Sequence, residues 1–368
     1  MAPPKQPETP ETQAFTKDLE RLYDNDDNKF FYKHMLRAVS DQLQQHRQGK
    51  LKDNTITLLN VKSQPVKIVL DPSEPTIWKD TRCNHGDRGE GPYIYYRTIQ
   101  NMLCRRDMTS FDRRQAYLPL VVLFPQAPDH THESDSPTGS GAPFAAAELR
   151  AVLRSERAEF EQSEHWAQLR AQLKAHRPAL GKVDGVVAFA CGTLTKGGKG
   201  CRKDKYATAQ HALVLSLRAQ LAKIKQQRGL RQGIRRALRG SAAAGSDAAV
   251  ECCAQDPGYT AADEKVLKEE GVQVLRDPDG FVRVGRDSFV VSISPNSPVQ
   301  QIIADLVCPA AIIQYQFEEM VNGPKAVYCG DPASSRVLRM IAEKYETVEL
   351  KDHKYLRPIV MYIRREGK

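Results

Sequence analysis

The chain has 368 residues and a formal net charge of +9. That length carries one large domain or two ordinary ones and buries a sizeable core without a disulfide or metal staple. The opening Met1-Ala2-Pro3-Pro4 lacks an apolar stretch, and no apolar run elsewhere approaches the roughly 18 residues of a membrane span, so a soluble cytoplasmic or nuclear protein is expected.

Residues 1 to 13 are rich in Pro, Glu and Thr and read as a disordered tail. Residues 14–124 read as an N-terminal α+β extension: an amphipathic helix over Lys29–His46, β-rich runs at Thr55–Val61 and Val66–Leu70, and strands near Tyr93–Tyr96 and Ala116–Phe124. Residues 125–143 lack any apolar period and read as a linker. From residue 144 one long or two consecutive helices run to Pro178.

Alternating elements follow. They are a strand at Val183–Cys191, a helix from Tyr206 to about Arg228, a strand at Ala248–Ala254 and a helix at Ala261–Glu270 capped by Thr260 with Asp263 as partner. Strands come next around Val272–Leu275 and Ser288–Ser292, then a helix at Pro298–Val307 with Ser297 as cap. Strands at Ala310–Gln314 and Ala326–Cys329, a helix at Ala333–Tyr345 and a strand at Pro358–Ile363 complete the pattern. This order predicts an α/β, Rossmann-like, mostly parallel sheet with helices on both faces across 144–368.

Charge is uneven along that domain. Lys223, Lys225, Arg228, Arg231, Arg235, Arg236 and Arg239 occur with no acid among them, and subtracting these seven charges from +9 leaves +2. The segment at about 223–247 reads as a flexible basic insertion. It is suited to solvation, nuclear import or contact with nucleic-acid phosphates, and it has no aromatic residue for base stacking.

Five pieces in order resemble the sensitivity-to-red-light-reduced (SRR-like) domain family. These are a helix ending near Arg177, the strand running into Gly192-Thr193-Leu194, Gln255-Asp256-Pro257-Gly258-Tyr259-Thr260, Val272–Phe281 with its Asp-Pro-Asp-Gly turn, and Val290–Pro298. The low-complexity insertions favour a fungal-type member. The resemblance implies a Rossmann-like fold and a regulatory role in circadian, light or stress signalling, with no established reaction. The family pattern reads Gly-x-Gly-Ser at the first turn and Pro-His-Cys at the later one. This chain has Ala190-Cys191-Gly192-Thr193 and Pro295-Asn296-Ser297 instead.

Gly192 and Thr193 would leave backbone N–H groups and a hydroxyl at the mouth of the sheet, a usable anion contact. Asp256 ends the strand whose terminal acid binds ribose hydroxyls in Rossmann enzymes, and it also suits a local turn. With Asn296 these form the ligand-binding candidates at the carboxyl ends of the strands. Neither the histidines nor the eight cysteines show metal-ligand spacing, and no Cys-x-x-Cys occurs, which suits reduced thiols. Cys308-Pro309 is of the type that haem-responsive proteins use, but a helix end followed by a stopping proline explains it. With neither a nucleophile–base pair nor a complete cofactor fingerprint, the sequence leans away from an enzyme and identifies no cofactor. A regulatory or protein-interaction protein leads. The alternatives are a Rossmann-type adenosyl-cofactor enzyme such as a methyltransferase, and a nucleic-acid-associated factor.

Overall fold

The computed structural model describes residues 9–71, 91–103, 113–124, 145–196, 202–237, 249–293, 295–315, 330–356 and 358–367. The first part of the chain forms α1 (Pro10–Asp24), α2 (Lys33–Arg47), β1 (Thr55–Leu59), β2 (Pro65–Val69), β3 (Tyr93–Tyr96), α3 (Ile99–Leu103), α4 (Arg113–Ala116) and β4 (Leu120–Leu123). The middle forms α5 (Ala146–Gln162), α6 (Glu164–Ala175), α7 (Arg177–Leu180), β5 (Gly185–Phe189), β6 (Thr195–Lys196), β7 (Arg202–Lys203), α8 (Lys205–Ala237) and β8 (Glu251–Gln255). The last part forms α9 (Ala261–Glu269), β9 (Gln273–Val274), α10 (Asp279–Arg283), β10 (Ser288–Ser292), α11 (Val299–Leu306), β11 (Ala311–Tyr315), α12 (Ser335–Lys344), β12 (Tyr345–Glu349) and β13 (Ile359–Arg364). The expected linker at 125–143, the small-residue stretch at 240–246 and the expected strand at 326–329 lie outside the described residues.

Seven strands form one sheet in the order β12-β13-β11-β10-β5-β8-β9. From β11 to β9 every neighbour is parallel, whereas β13 runs antiparallel to both β11 and β12. Counted by appearance in the chain, the spatial order from β9 is 3-2-1-4-5-7-6. The chain turns back at β5, beside which β10 is laid down, so the crevice beyond the carboxyl ends of β5 and β10 is the topological switch point. Parallel strands covered on both faces need apolar side chains at successive positions, and Val186, Val187, Ala188 and Phe189 are all buried. Val186 stands opposite Cys252 in the parallel register, as the apolar runs predict.

Val186, Ala188, Val291 and Ile313 face a core shared with α5, α6, α8 and α9. Every residue from Ala207 to Leu217 is buried, so this part of α8 is enclosed all round between sheet and outer helices. Beyond that point the structure corrects the expectation of a flexible insertion, because α8 continues to Ala237 through Lys223, Lys225, Arg228, Arg231, Arg235 and Arg236. Lys, Arg, Gln, Leu and Ala favour helix strongly enough to outweigh Gly229 and Gly233, which cost about 1 kcal/mol each. Lys225 Nζ also donates to the Ala249 carbonyl at 2.8 Å, tying this stretch to the approach to β8.

On the other face, Val187, Phe189, Val290 and Ile312 share a core with α10 to α12 and with the N-terminal segment. That segment is α+β, with β1–β2 and β3–β4 each paired antiparallel. Its first helix starts at Pro10, capped by the Thr9 hydroxyl, so residues 9–13, expected within the disordered tail, are instead the ordered start of α1. Asp305 on α11, 2% exposed, fastens the segment. Its Oδ2 accepts the N–H groups of Phe30 (2.8 Å) and Phe31 (3.0 Å), while Oδ1 pairs with Arg336 of α12. Arg336 in turn donates to the Tyr23, Asn25 and Asn28 carbonyls and lies 4.3 Å over the Tyr23 ring.

Candidate functional site

The turn after β5 leaves the sheet through two left-handed residues, Ala190 (φ 54°) and Gly192 (φ 78°), on either side of buried Cys191. Glycine takes this conformation freely, whereas alanine holds it at a cost of about 1 kcal/mol. At Ala190 the backbone thus takes a conformation suited to glycine with a less suitable residue. A Cβ on Gly192 would stand 3.2 Å from the Ala207 Cβ, and the turn is therefore pressed against the start of α8.

Two carboxylates hold the donors of this turn, and a third holds those at the start of α8. Asp256 Oδ2 accepts the Gly192 N–H at 2.7 Å, and its Oδ1 accepts the Gly258 N–H at 2.8 Å. Asp263, fully buried, accepts the Thr193 hydroxyl (2.7 Å) and the Leu194 N–H (3.0 Å), and also the Thr260 N–H and hydroxyl (2.8 Å each). Asp263 thus closes the capping box of α9 and at the same time fixes the turn after β5. Asp204 Oδ1 accepts the N–H groups of Tyr206 (2.9 Å) and Ala207 (3.2 Å) at the start of α8. A helix N-terminus behind the first strand is where such folds seat a phosphate, and here the chain's own carboxylate takes that place.

Beneath the turn runs a neutral hydrogen-bonded chain. His211 Nδ1 lies 2.7 Å from the Ala207 carbonyl, which can only accept, so Nδ1 carries the proton. Nε2 is then the acceptor for the Tyr259 hydroxyl at 3.0 Å, and that hydroxyl in turn meets the Cys191 thiol. Burial lowers the His211 pKa and pushes the Cys191 thiol far up, so both stay uncharged at neutral pH. Cys252, on the neighbouring strand, is pushed up to about 12 by burial. Thiolate chemistry at the turn is thereby suppressed. Burial likewise raises the Cys308 pKa.

Gly192, Thr193 and Asp256 therefore meet at one turn. Asn296 is exposed, on the loop after β10, and a Cβ on Gly330 would fall 2.6 Å from its Cα. Ser297 does not cap α11; Pro298 stands at that position, and buried Asp331 accepts the Gln300 N–H from across the loop at 3.1 Å. Sequence reasoning missed His211, Tyr259 and Asp204 and saw Asp263 only as a cap. The one local signal was Asp204 just before the helix, a capping residue in its usual place. Among the described residues no group of three or more His, Cys, Asp or Glu is arranged to hold a metal ion.

Parallel strands in the order 3-2-1-4-5, with a glycine turn after the first and an acid after the second, define a Rossmann-like α/β domain. A model of the SRR1 domain matches residues 169–360, more than half of the chain, and the protein belongs to that family. Neither a curated protein nor a solved structure matches it. No helix among the described residues is long and apolar enough to cross a membrane.

Proposed function

We propose that this SRR1-domain protein is a regulatory, partner-binding protein of the cytoplasm or nucleus, with a role in circadian, light or stress signalling, in which the Rossmann-like sheet is a frame and not a catalytic cradle. One observation carries the reading. The backbone donors at the mouth of the sheet are held by the chain's own carboxylates, Gly192 by Asp256, Leu194 by Asp263, and Tyr206 and Ala207 by Asp204. A phosphate-bearing nucleotide entering there would meet negative charge where Rossmann enzymes offer free N–H groups.

A second reading is favoured by strand order. A sheet whose final antiparallel strand inserts between the fifth and sixth is the arrangement of Rossmann-like methyltransferases, an analogy of fold alone. Their cofactor carries a sulfonium cation and no phosphate, so a carboxylate-lined crevice does not repel it. In that case Gly192, Thr193, Asp256 and Asn296 would line its site, with Asp256 on the ribose.

Calorimetry with S-adenosylmethionine and S-adenosylhomocysteine separates the two. The regulatory reading expects no heat of binding, and it expects Asp256→Ala to lower stability by about 1–3 kcal/mol as two N–H groups lose their acceptor. Saturable heat with the wild type, abolished in Asp256→Ala, would establish the adenosyl reading instead.

A further inference from the structure

The fold brings together two basic runs that lie far apart in sequence. Between Glu164 and Asp204 the single acid is Asp184, and between Asp204 and Asp247 there is none. From the first run Arg170, Lys174, Arg177 and Lys182 are exposed on α6, α7 and the turn that follows. From the second, Lys223 is exposed and Arg228 half-buried on α8. The two runs touch at Gly181, where an added Cβ would stand 2.8 Å from Arg228 Cδ and 3.0 Å from the Arg177 carbonyl. The acid that Lys223 feels, Glu161, is already held by Arg157 at 2.9 Å and by the Ser216 hydroxyl at 2.7 Å. Beyond Arg228 the helix carries Arg231, Arg235 and Arg236 onward to Ala237. The stretch from Lys223 to Ala237 is about 21 Å long at 1.5 Å per residue.

We propose that this composite face of α6, α7 and α8 binds the phosphate backbone of double-stranded nucleic acid. The inference rests on the partner-binding reading and names the partner. Arginine predominates, and its planar fork suits phosphate oxygens. Residues 170–182 and 223–239 contain no Phe, Tyr or Trp, so the face has neither the stacking platform of a single-strand binder nor the aromatic anchor at the centre of a protein interface. Leu230 is the lone large exposed apolar side chain in the described part of the face, too little to seat in a lipid surface. Binding is accordingly electrostatic, independent of base sequence and steeply salt-dependent.

The test is fluorescence anisotropy of the full chain with a labelled DNA duplex, from about 50 to 200 mM salt. The expected result is saturable binding that weakens steeply with salt. Lys174→Ala/Arg177→Ala and Lys182→Ala/Lys223→Ala should each reduce the slope of log K against log salt by about 2, because each removes two exposed cations of the face. An unchanged melting temperature should show that both variants remain folded. The proposal is overturned by any of three results: no duplex binding at the lowest salt, a Lys174/Arg177 variant that binds like the wild type, or adsorption to anionic vesicles without duplex binding. Silence of the adenosyl ligands in calorimetry would stand apart from any of these, so loss of this proposal leaves the regulatory reading in place.

Discussion

At the junction of α11 with the N-terminal layer, Asp305 faces the guanidinium of Arg336; at the turn after β5, Asp256 and Asp263 face backbone N–H groups and hydroxyls. Both arrangements satisfy buried oxygens, and their electrostatic results are opposite. The first neutralises its charge and fastens one layer of the molecule to another. The second gathers negative charge at the switch point, in no ion pair with a cation among the described residues and sustained by oriented N–H dipoles. Positive charge is collected elsewhere, on the outer helices. A carboxylate matched by a cation is thus a fastener here, whereas carboxylates matched by dipoles set the character of a crevice.

The sharpest way to break this contrast is Asp305→Ala. It strands the Arg336 guanidinium and two N–H groups in the interior, and a loss of about 3–5 kcal/mol is expected in denaturant unfolding. If Asp305→Ala proves no worse than Asp256→Ala, the fastener has been misjudged. A smaller effect is expected from acid. Burial holds the His211 pKa below its ordinary 6.5, so the imidazole is neutral in the fold and takes up a proton more readily when unfolded. The contribution is fully present above pH ~6.5 and falls as pH drops towards the folded pKa, by up to about 1.4 kcal/mol per pH unit. His165 and His353 are shifted the same way, so the contribution of His211 is the part of the slope that disappears in His211→Gln. Smallest and opposite in sign is Ala190→Gly, which relieves a left-handed alanine and should raise stability by about 0.5–1 kcal/mol. A drop in melting temperature would show that the Ala190 methyl is needed for packing.

Local pattern made much of this fold readable. Ser288–Ser292 is a strand with the expected bounds, and α9 starts at the expected capping box, because both are decided by neighbours in sequence. The reach of α8 was not readable, since glycine and cation content resembled a loop while the summed propensity of the other residues favoured helix. At the site, Gly192, Thr193 and Asp256 were found from their positions at strand ends. What holds them was hidden: Thr193 and Asp263 are 70 residues apart, His211 and Tyr259 48 apart, and such pairs exist only once α8 and α9 have packed against the same sheet. Asn296 was placed by analogy of strand ends, and the structure leaves it on an exposed loop. The fastening of the N-terminal layer was invisible for the same reason, as Asp305 on an apolar helix carries no mark of a partner 275 residues away.

The sheet's last strand in chain order, β13, lies inside it, between β11 and β12. During synthesis β11 therefore keeps one edge open, and β12 has no strand to pair with, until Ile359–Arg364 have left the ribosome. The closing segment acts as a latch. A stall or premature stop just before it would release a chain with an unpaired, apolar strand edge at Ala311–Tyr315, the kind of surface that chaperones shield and that seeds aggregation.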